Sequence, residues 1–239
     1  MKLNISNGGD IGGVASRLSV GGVYEPMTTR IMKEIIKPGM DVIDIGANIG
    51  YFTLLMAKLT GNHGKVYAFE PEDNNFTSLV SNIGLNGFKN IVPYRFALSD
   101  ESGEAKLYIS EYESGEHSMV SQDDKSYSID IKTFKLDYAI KGKIDLIKCD
   151  TEGNEMKVLL GAYETLKIHH PVLILEIWPD GLKKSGYSVG ELFDYLYGIG
   201  YNEVLAIDEK KMLTYSITPN QIESQKFKVL GNILFKVKA

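Results

Sequence analysis

The sequence predicts an α/β fold, a seven-stranded, mostly parallel sheet with helices on both faces. Short runs rich in Val, Ile and Leu alternate with segments of helical period along most of the chain. Two of these segments, DVIDIGANIG at Asp41 to Gly50 and KVYAFEP with Glu70 near its end, read as strand, glycine turn, helix and second strand closed by an acid. That order lays a nucleotide-type ligand across the carboxyl ends of a parallel sheet. The chain then closes on a final pair of strands, which makes the sheet mixed at one edge.

The elements follow in order. The first 24 residues carry Gly8, Gly9, Gly12, Gly13, Gly21 and Gly22 among small polar residues, and are expected to form a loosely packed arm or part of a lid. Met27, Ile31 and Ile35 recur at about one turn and Pro38-Gly39 ends the run, predicting a helix over 25–36 that caps the sheet edge or the ligand's mouth. The division expected is therefore an arm and cap helix at 1–37 and one catalytic domain at 38–239. Within that domain the first strand leads to a helix whose face carries Ile49, Phe52, Leu55, Met56 and Leu59. Next come a strand over 65–69, a helix over about 72–86 and a strand over about 90–95. A short alternating strand spans 105–109. The polar stretch 110–125, with Gly115, His117 and Ser118, is long for a simple connection and reads as a substrate lid or an excursion. Beyond it the pattern gives a strand over 127–134, a brief helix over 135–140 and a central strand over 144–149. Met156, Leu159, Leu160 and Tyr163 share one helix face. The last elements are strands near 172–177, 202–207 and 233–237, with a helix over about 189–197.

Composition narrows the classes. With 239 residues the chain fills one good core and falls short of two large domains. Apolar content of 44% with 24% charged residues is ordinary for a globular protein. Lys and Arg total 26 against 31 acids, a net charge of -5 without a basic stripe, so nucleic acid is an unexpected partner. The single Cys149 excludes a disulfide framework and reads as core filler. No run approaches the ~18 apolar residues of a membrane span, and the start lacks a secretory pattern. A cytoplasmic location without membrane contact is expected, with oligomerisation left open.

The turn itself carries chemistry. Gly46 and Gly50 let the chain turn sharply, and the helix that follows presents free amides to whatever is bound. Glu70 stands where a carboxylate accepts two hydrogen bonds from a ribose diol, with Asn74 and Asn75 close enough to border the ligand. A dinucleotide site usually spells G-x-G-x-x-G. Here the spacing is D-x-G-x-x-x-G, and Asp44 would repel a pyrophosphate but attract an ammonium. The expected cofactor is therefore S-adenosylmethionine rather than NAD.

A second constellation, Asp150-Thr151-Glu152-Gly153-Asn154-Glu155, follows an apolar strand at the ligand-facing edge. Asp150 and Glu152 are candidates for a general base or for holding an acceptor hydroxyl. Glu155 falls in the first helical turn, where interaction with the helix N-terminus suffices to explain it. His117 is the rival base, since an imidazole titrates near neutrality. Glu176, before Trp178-Pro179, could shape an acceptor pocket. With Asp150 and Glu152 it could gather oxygens for a divalent cation, but no spacing fixes such a geometry and no metal is expected.

DVIDIGANIGYFTLLMAK, VYAFEP, ALSDESGEAKLYI, IDLIKCDTEGNEMKVLLGA, PVLILEI and GNILFKV, in order over roughly 38–237, together resemble the FkbM family of S-adenosylmethionine-dependent methyltransferases. The resemblance implies a Rossmann-like class I methyltransferase fold and, for several members, O-methylation of sugars or natural products. By it, Asp44, Gly46, Asn48 and Gly50 would line the methionine end of the cofactor, Glu70 would bind the ribose, and Asp100 would flank the adenine. Cys149 and Thr151 stand where the family commonly has Ile or Val and Val. The acceptor expected is a small hydroxylated metabolite or glycan, with RNA methylation and a non-catalytic binding module as the alternatives.

Overall fold

The computed structural model describes residues 1–4, 22–110, 117–120, 127–224 and 231–238. Most of the glycine-rich arm, and Gly115 with most of the 110–125 loop, lie outside the described residues. Along the chain run α1 (Pro26–Ile35), β1 (Asp41–Ile45), α2 (Tyr51–Thr60), β2 (Lys65–Phe69), α3 (Asp73–Asn86) and β3 (Ile91–Tyr94). Then come β4 (Ala97–Leu98), β5 (Gly103–Tyr108), β6 (Ser128–Phe134), α4 (Leu136–Ala139), β7 (Leu146–Cys149), α5 (Glu155–Gly161), α6 (Tyr163–His169) and β8 (Val172–Glu176). The chain finishes with α7 (Pro179–Lys184), α8 (Val189–Gly198), β9 (Glu203–Asp208), β10 (Leu213–Ser216), α9 (Pro219–Ser224) and β11 (Asn232–Lys236).

The α/β architecture is as expected, but the main sheet has eight strands rather than seven, in the order β10-β9-β11-β8-β7-β1-β2-β3. Four pairings are parallel and three antiparallel. The unexpected strand is β10, a hairpin partner of β9 at the edge. Its four residues are too short and too exposed to show a period. The strands expected near 105–109 and 127–134 do form, but leave the main sheet and pair with β4 as a separate three-stranded sheet. The single helix expected after residue 155 is two, α5 and α6, parted at Ala162. Gly161 packs so closely that a Cβ there would lie 2.0 Å from the Ser99 carbonyl oxygen.

The central strands are buried on both faces, so their side chains alternate between two cores. Val42 and Leu146 join the core formed with Met32 of α1 and Met56 of α2. Ile43, Ile45, Ile147 and Cys149 join the opposite core with Val158 of α5 and Leu192 of α8. The cap helix α1 is thus continuous with the sheet's packing. Its N-terminal amides at Met27 and Thr28 donate to the Glu209 carboxylate, at 2.7 and 2.8 Å, from the turn between β9 and β10. Among the described residues no helix is long and apolar enough to cross a membrane.

Candidate active site

One pocket opens at the carboxyl ends of β1, β2, β7 and β8. The turn after β1 builds one wall. Gly46 and Ala47 donate their amides to the Phe69 carbonyl oxygen at the end of β2, both at 3.0 Å. Gly46 has φ 77° and Gly50 φ 95°, so both need the left-handed region that glycine reaches freely. What crowds them is protein. A Cβ on Gly46 would lie 1.8 Å from the Asp150 carbonyl oxygen, and one on Gly50 2.6 Å from Leu79.

Glu70, 5% exposed, lines the same wall. Its Oε2 accepts from the Asn48 amide at 2.8 Å and its Oε1 from the Glu72 amide at 2.9 Å, leaving each oxygen a further lone pair. Burial pushes its carboxyl up to about 7, against the pull of the two amides. Asp44 is buried, and its Oδ2 accepts from Thr53 Oγ1 at 2.5 Å, while its Oδ1 has no partner. Desolvation raises its pKa, opposed by the nearby Lys148 and by Thr53. A buried acceptor without a donor, beside a turn of backbone amides and a carboxylate held ready for hydroxyl donors, fits the ammonium and ribose of S-adenosylmethionine.

The opposite wall is acidic around one cation. The register of the parallel strands sets Asp44 of β1 beside Lys148 of β7, and strand alternation brings Lys148, Asp150 and Glu176 to the same face. Lys148 is 2% exposed, and its Nζ donates to Asp150 Oδ2 at 2.9 Å and lies 4.9 Å from the centre of the Phe52 ring. Desolvation is the largest single influence on Lys148 and lowers its pKa. The carboxylates of Asp150, Glu25, Asp44 and Glu176 together outweigh it and hold the ammonium above the usual lysine range. Glu176 is pushed well up by burial, then by Asp150 and Glu25. Asp150, Glu152 and Glu176 each bring an oxygen within 4.8 Å of the others. Lys148 already supplies the positive charge in this group, and no metal is assigned to it.

The sequence candidates divide accordingly. Asp44, Gly46, Asn48, Glu70, His117, Asp150 and Glu152 all line the pocket. Gly50, Asn74 and Asp100 lie outside its lining. Gly50 packs on Leu79, Asn74 Nδ2 donates to Glu72 Oε1 at 3.1 Å, and Asp100 Oδ1 accepts from Ser99 Oγ at 2.9 Å. Asn75, Phe96, Ala97 and Leu98 line the pocket near those places. Glu155 is fully buried and holds the turn that carries Glu152. Its Oε1 accepts from the Thr151 amide, the Thr151 hydroxyl and the Gly153 amide at 3.0 to 3.1 Å, and Glu152 has φ 51°.

His117 Nδ1 accepts from the Ser110 amide at 3.1 Å, which assigns the ring proton to Nε2, and burial lowers its pKa, with Glu72 pulling the other way. Its neighbour Ser118 donates from Oγ to the Glu152 carbonyl oxygen at 2.5 Å. Sequence reading passed over Tyr24, Phe52 and Lys148. The signal for Lys148 was present: a lysine in the middle of the buried run IDLIKCD must be paired.

Residues 44–203 match the Methyltransferase FkbM domain. The chain belongs to the FkbM family, whose members are S-adenosylmethionine-dependent methyltransferases. No curated protein matches it. Among solved structures, the FkbM methyltransferase of Methylobacillus flagellatus is similar with a TM-score of 0.53 and 17% identity, covering 87% of this chain and 50% of that one. The chain thus spans half the length of that relative. A candidate rRNA methylase of Clostridium thermocellum has a TM-score of 0.53 at 11% identity, covering 89% of this chain and 95% of that one. An rRNA methylase of Streptococcus thermophilus has a TM-score of 0.51 at 13% identity, covering 89% and 95%. These likenesses are of fold. They nonetheless overturn the expectation that nucleic acid is an improbable partner, because chains named for acting on rRNA share this scaffold.

Proposed function

We propose that the protein O-methylates a hydroxyl on a small metabolite or glycan, with Asp150 as general base and Glu152 beside it to hold the acceptor. The observation that supports Asp150 as the base is its clamp against the cofactor turn. Its amide donates to the Ile45 carbonyl oxygen at 3.0 Å, and its own carbonyl fills the space a side chain on Gly46 would need. Base and cofactor turn are therefore one rigid unit, as in-line transfer requires. S-adenosylmethionine, when bound, supplies a methyl group already activated by its sulfonium.

The chain's task is to align the hydroxyl, take its proton and pass that proton to water. Asp150, with its side chain 20% exposed, faces the pocket and can do so. His117 cannot accept at Nδ1 while Ser110 occupies it, and it serves as a donor from Nε2. Asp44, Gly46, Asn48 and Glu70 hold the cofactor.

The test supplies methyl-tritiated S-adenosylmethionine to a cell extract divided into small molecules, glycans, protein and RNA. Label should enter the small-molecule or glycan fraction. Asp150→Asn should lower turnover by about 10²- to 10⁴-fold, the usual range for losing a base, with S-adenosylhomocysteine affinity retained. Label confined to RNA would replace the acceptor class. Near-normal turnover in Asp150→Asn and Glu152→Gln with collapse in His117→Ala would move the base to the histidine.

A further inference from the structure

We propose that Lys148 is a positioning residue for methyl transfer, a buried counter-ion that holds the Asp150 carboxylate aimed into the pocket. This role rests on the reading of Asp150 as the base. A strand buried on both faces is ordinarily apolar throughout, and β7 is so except at Lys148. Burying an ammonium is unfavourable unless it is paired and its hydrogens are used. Here the ammonium donates to Asp150 Oδ2 and rests against the Phe52 ring.

The charged and titratable groups around it are Asp150 on its own segment, Glu25 and Tyr24 before α1, Asp44 on β1 and Glu176 on β8. Of these, Asp150 receives the direct ion pair. Glu176, with an oxygen within 4.8 Å of Asp150's, is instead driven towards its protonated form, by burial first and then by Asp150 and Glu25. The fixed cation thus holds Asp150 directly, with Glu176 beside it. Because that cation stays an ammonium, Lys148 is no base itself and acts through its neighbour.

The experiment compares Lys148→Met, Lys148→Arg, Asp150→Asn and the Lys148→Met/Asp150→Asn double variant. Methyl-tritiated S-adenosylmethionine is the donor and the small-molecule and glycan fraction of a cell extract the acceptor, from pH 5.5 to 9.5. Lys148→Met should lose about 100-fold in rate while S-adenosylhomocysteine affinity stays within about threefold. Its pH–rate profile should move to the alkaline side, Lys148→Arg should recover at least about a tenth of the parent rate, and the double variant should be no worse than Asp150→Asn alone. Losses that multiply in the double variant, or a folded Lys148→Met with parental rate and pH profile, would overturn the role. Retained turnover in Asp150→Asn would sink the base assignment itself, and this role with it. Should Lys148→Met fail to fold, NMR of the Lys148 Nζ and Cε signals in the unaltered protein decides. An ammonium signal persisting at pH 11 supports the pair, and a neutral amine below pH 10 refutes it.

Discussion

Glu70 accepts from two backbone amides and is nevertheless poised near neutrality, because burial raises its carboxyl to about 7. Only the ionised form offers four lone pairs with none spent on its own proton. If Glu70 holds the ribose, the affinity for S-adenosylhomocysteine must therefore rise with pH. Calorimetry should show binding several-fold tighter at pH 8 than at pH 6, and Glu70→Gln should flatten that dependence. Glu70→Ala should weaken binding about 10- to 100-fold, the loss of one charge-assisted bond. An affinity indifferent to pH in the unaltered protein would argue that the ribose sits elsewhere. The residue was legible in the sequence because a strand end and a glycine turn bracket it. The glycines were legible as a motif, but not their reason, since the atoms that exclude a side chain at Gly46 come from Asp150, a hundred residues along the chain.

The element that organises the acidic wall of the pocket is the turn between β7 and α5. Two of its residues, Glu152 and Gly153, have positive φ of 51° and 101°, and a non-glycine residue keeps such a conformation only where its surroundings enforce it. Glu155 enforces it through three hydrogen bonds on one oxygen. Glu155→Ala should cost about 3 kcal/mol, the scale for leaving buried turn amides unpaired, and lower turnover further than cofactor affinity. Urea unfolding and S-adenosylhomocysteine titration measure the two effects, and an unchanged unfolding midpoint would refute the clamp. Sequence reading assigned Glu155 to the helix N-terminus and missed the clamp, since nothing local reveals a side chain folding back four residues. Its successes have the same physics. β1, β2, β7 and β8 are apolar runs buried on both faces and announce themselves, while β10 is an exposed edge and β4 is two residues long. Departure of β5 and β6 into a second sheet depends on pairing between residues twenty to thirty apart, which no local period encodes.

At the scale of the whole molecule, the buried carboxyls make stability depend on pH in an unusual direction. Glu70 and Glu155 are both raised to about 7 from an ordinary 4.5, each with burial as the main cause. Asp44, Glu25 and Glu176 are also raised, again with burial first. Between the ordinary carboxylate range and about 7 the folded chain binds more protons than the unfolded chain, so the stability these groups contribute is full below about 4.5 and is lost as pH rises towards 7. Each shift of this size corresponds to roughly 3 kcal/mol. The opposite sign belongs to His117, whose pKa burial lowers, one imidazole against five carboxyls, and to Asp208 and Glu191, whose pKa values are lowered by backbone hydrogen bonds at the surface where solvent weakens them. The cofactor-free protein should therefore melt at a higher temperature at pH 5.5 than at pH 8. The Glu70→Gln/Glu155→Gln double variant should show a shallower slope whatever its absolute stability, because it removes two of the groups that bind the extra protons. S-adenosylhomocysteine should narrow the difference from the other side, stabilising most at pH 8, where Glu70 is ionised and best able to hold it. A melting temperature that rises with pH between 5.5 and 8 in the cofactor-free protein would show that the buried acids are already ionised below neutrality, and would remove the basis for an S-adenosylhomocysteine affinity that climbs with pH.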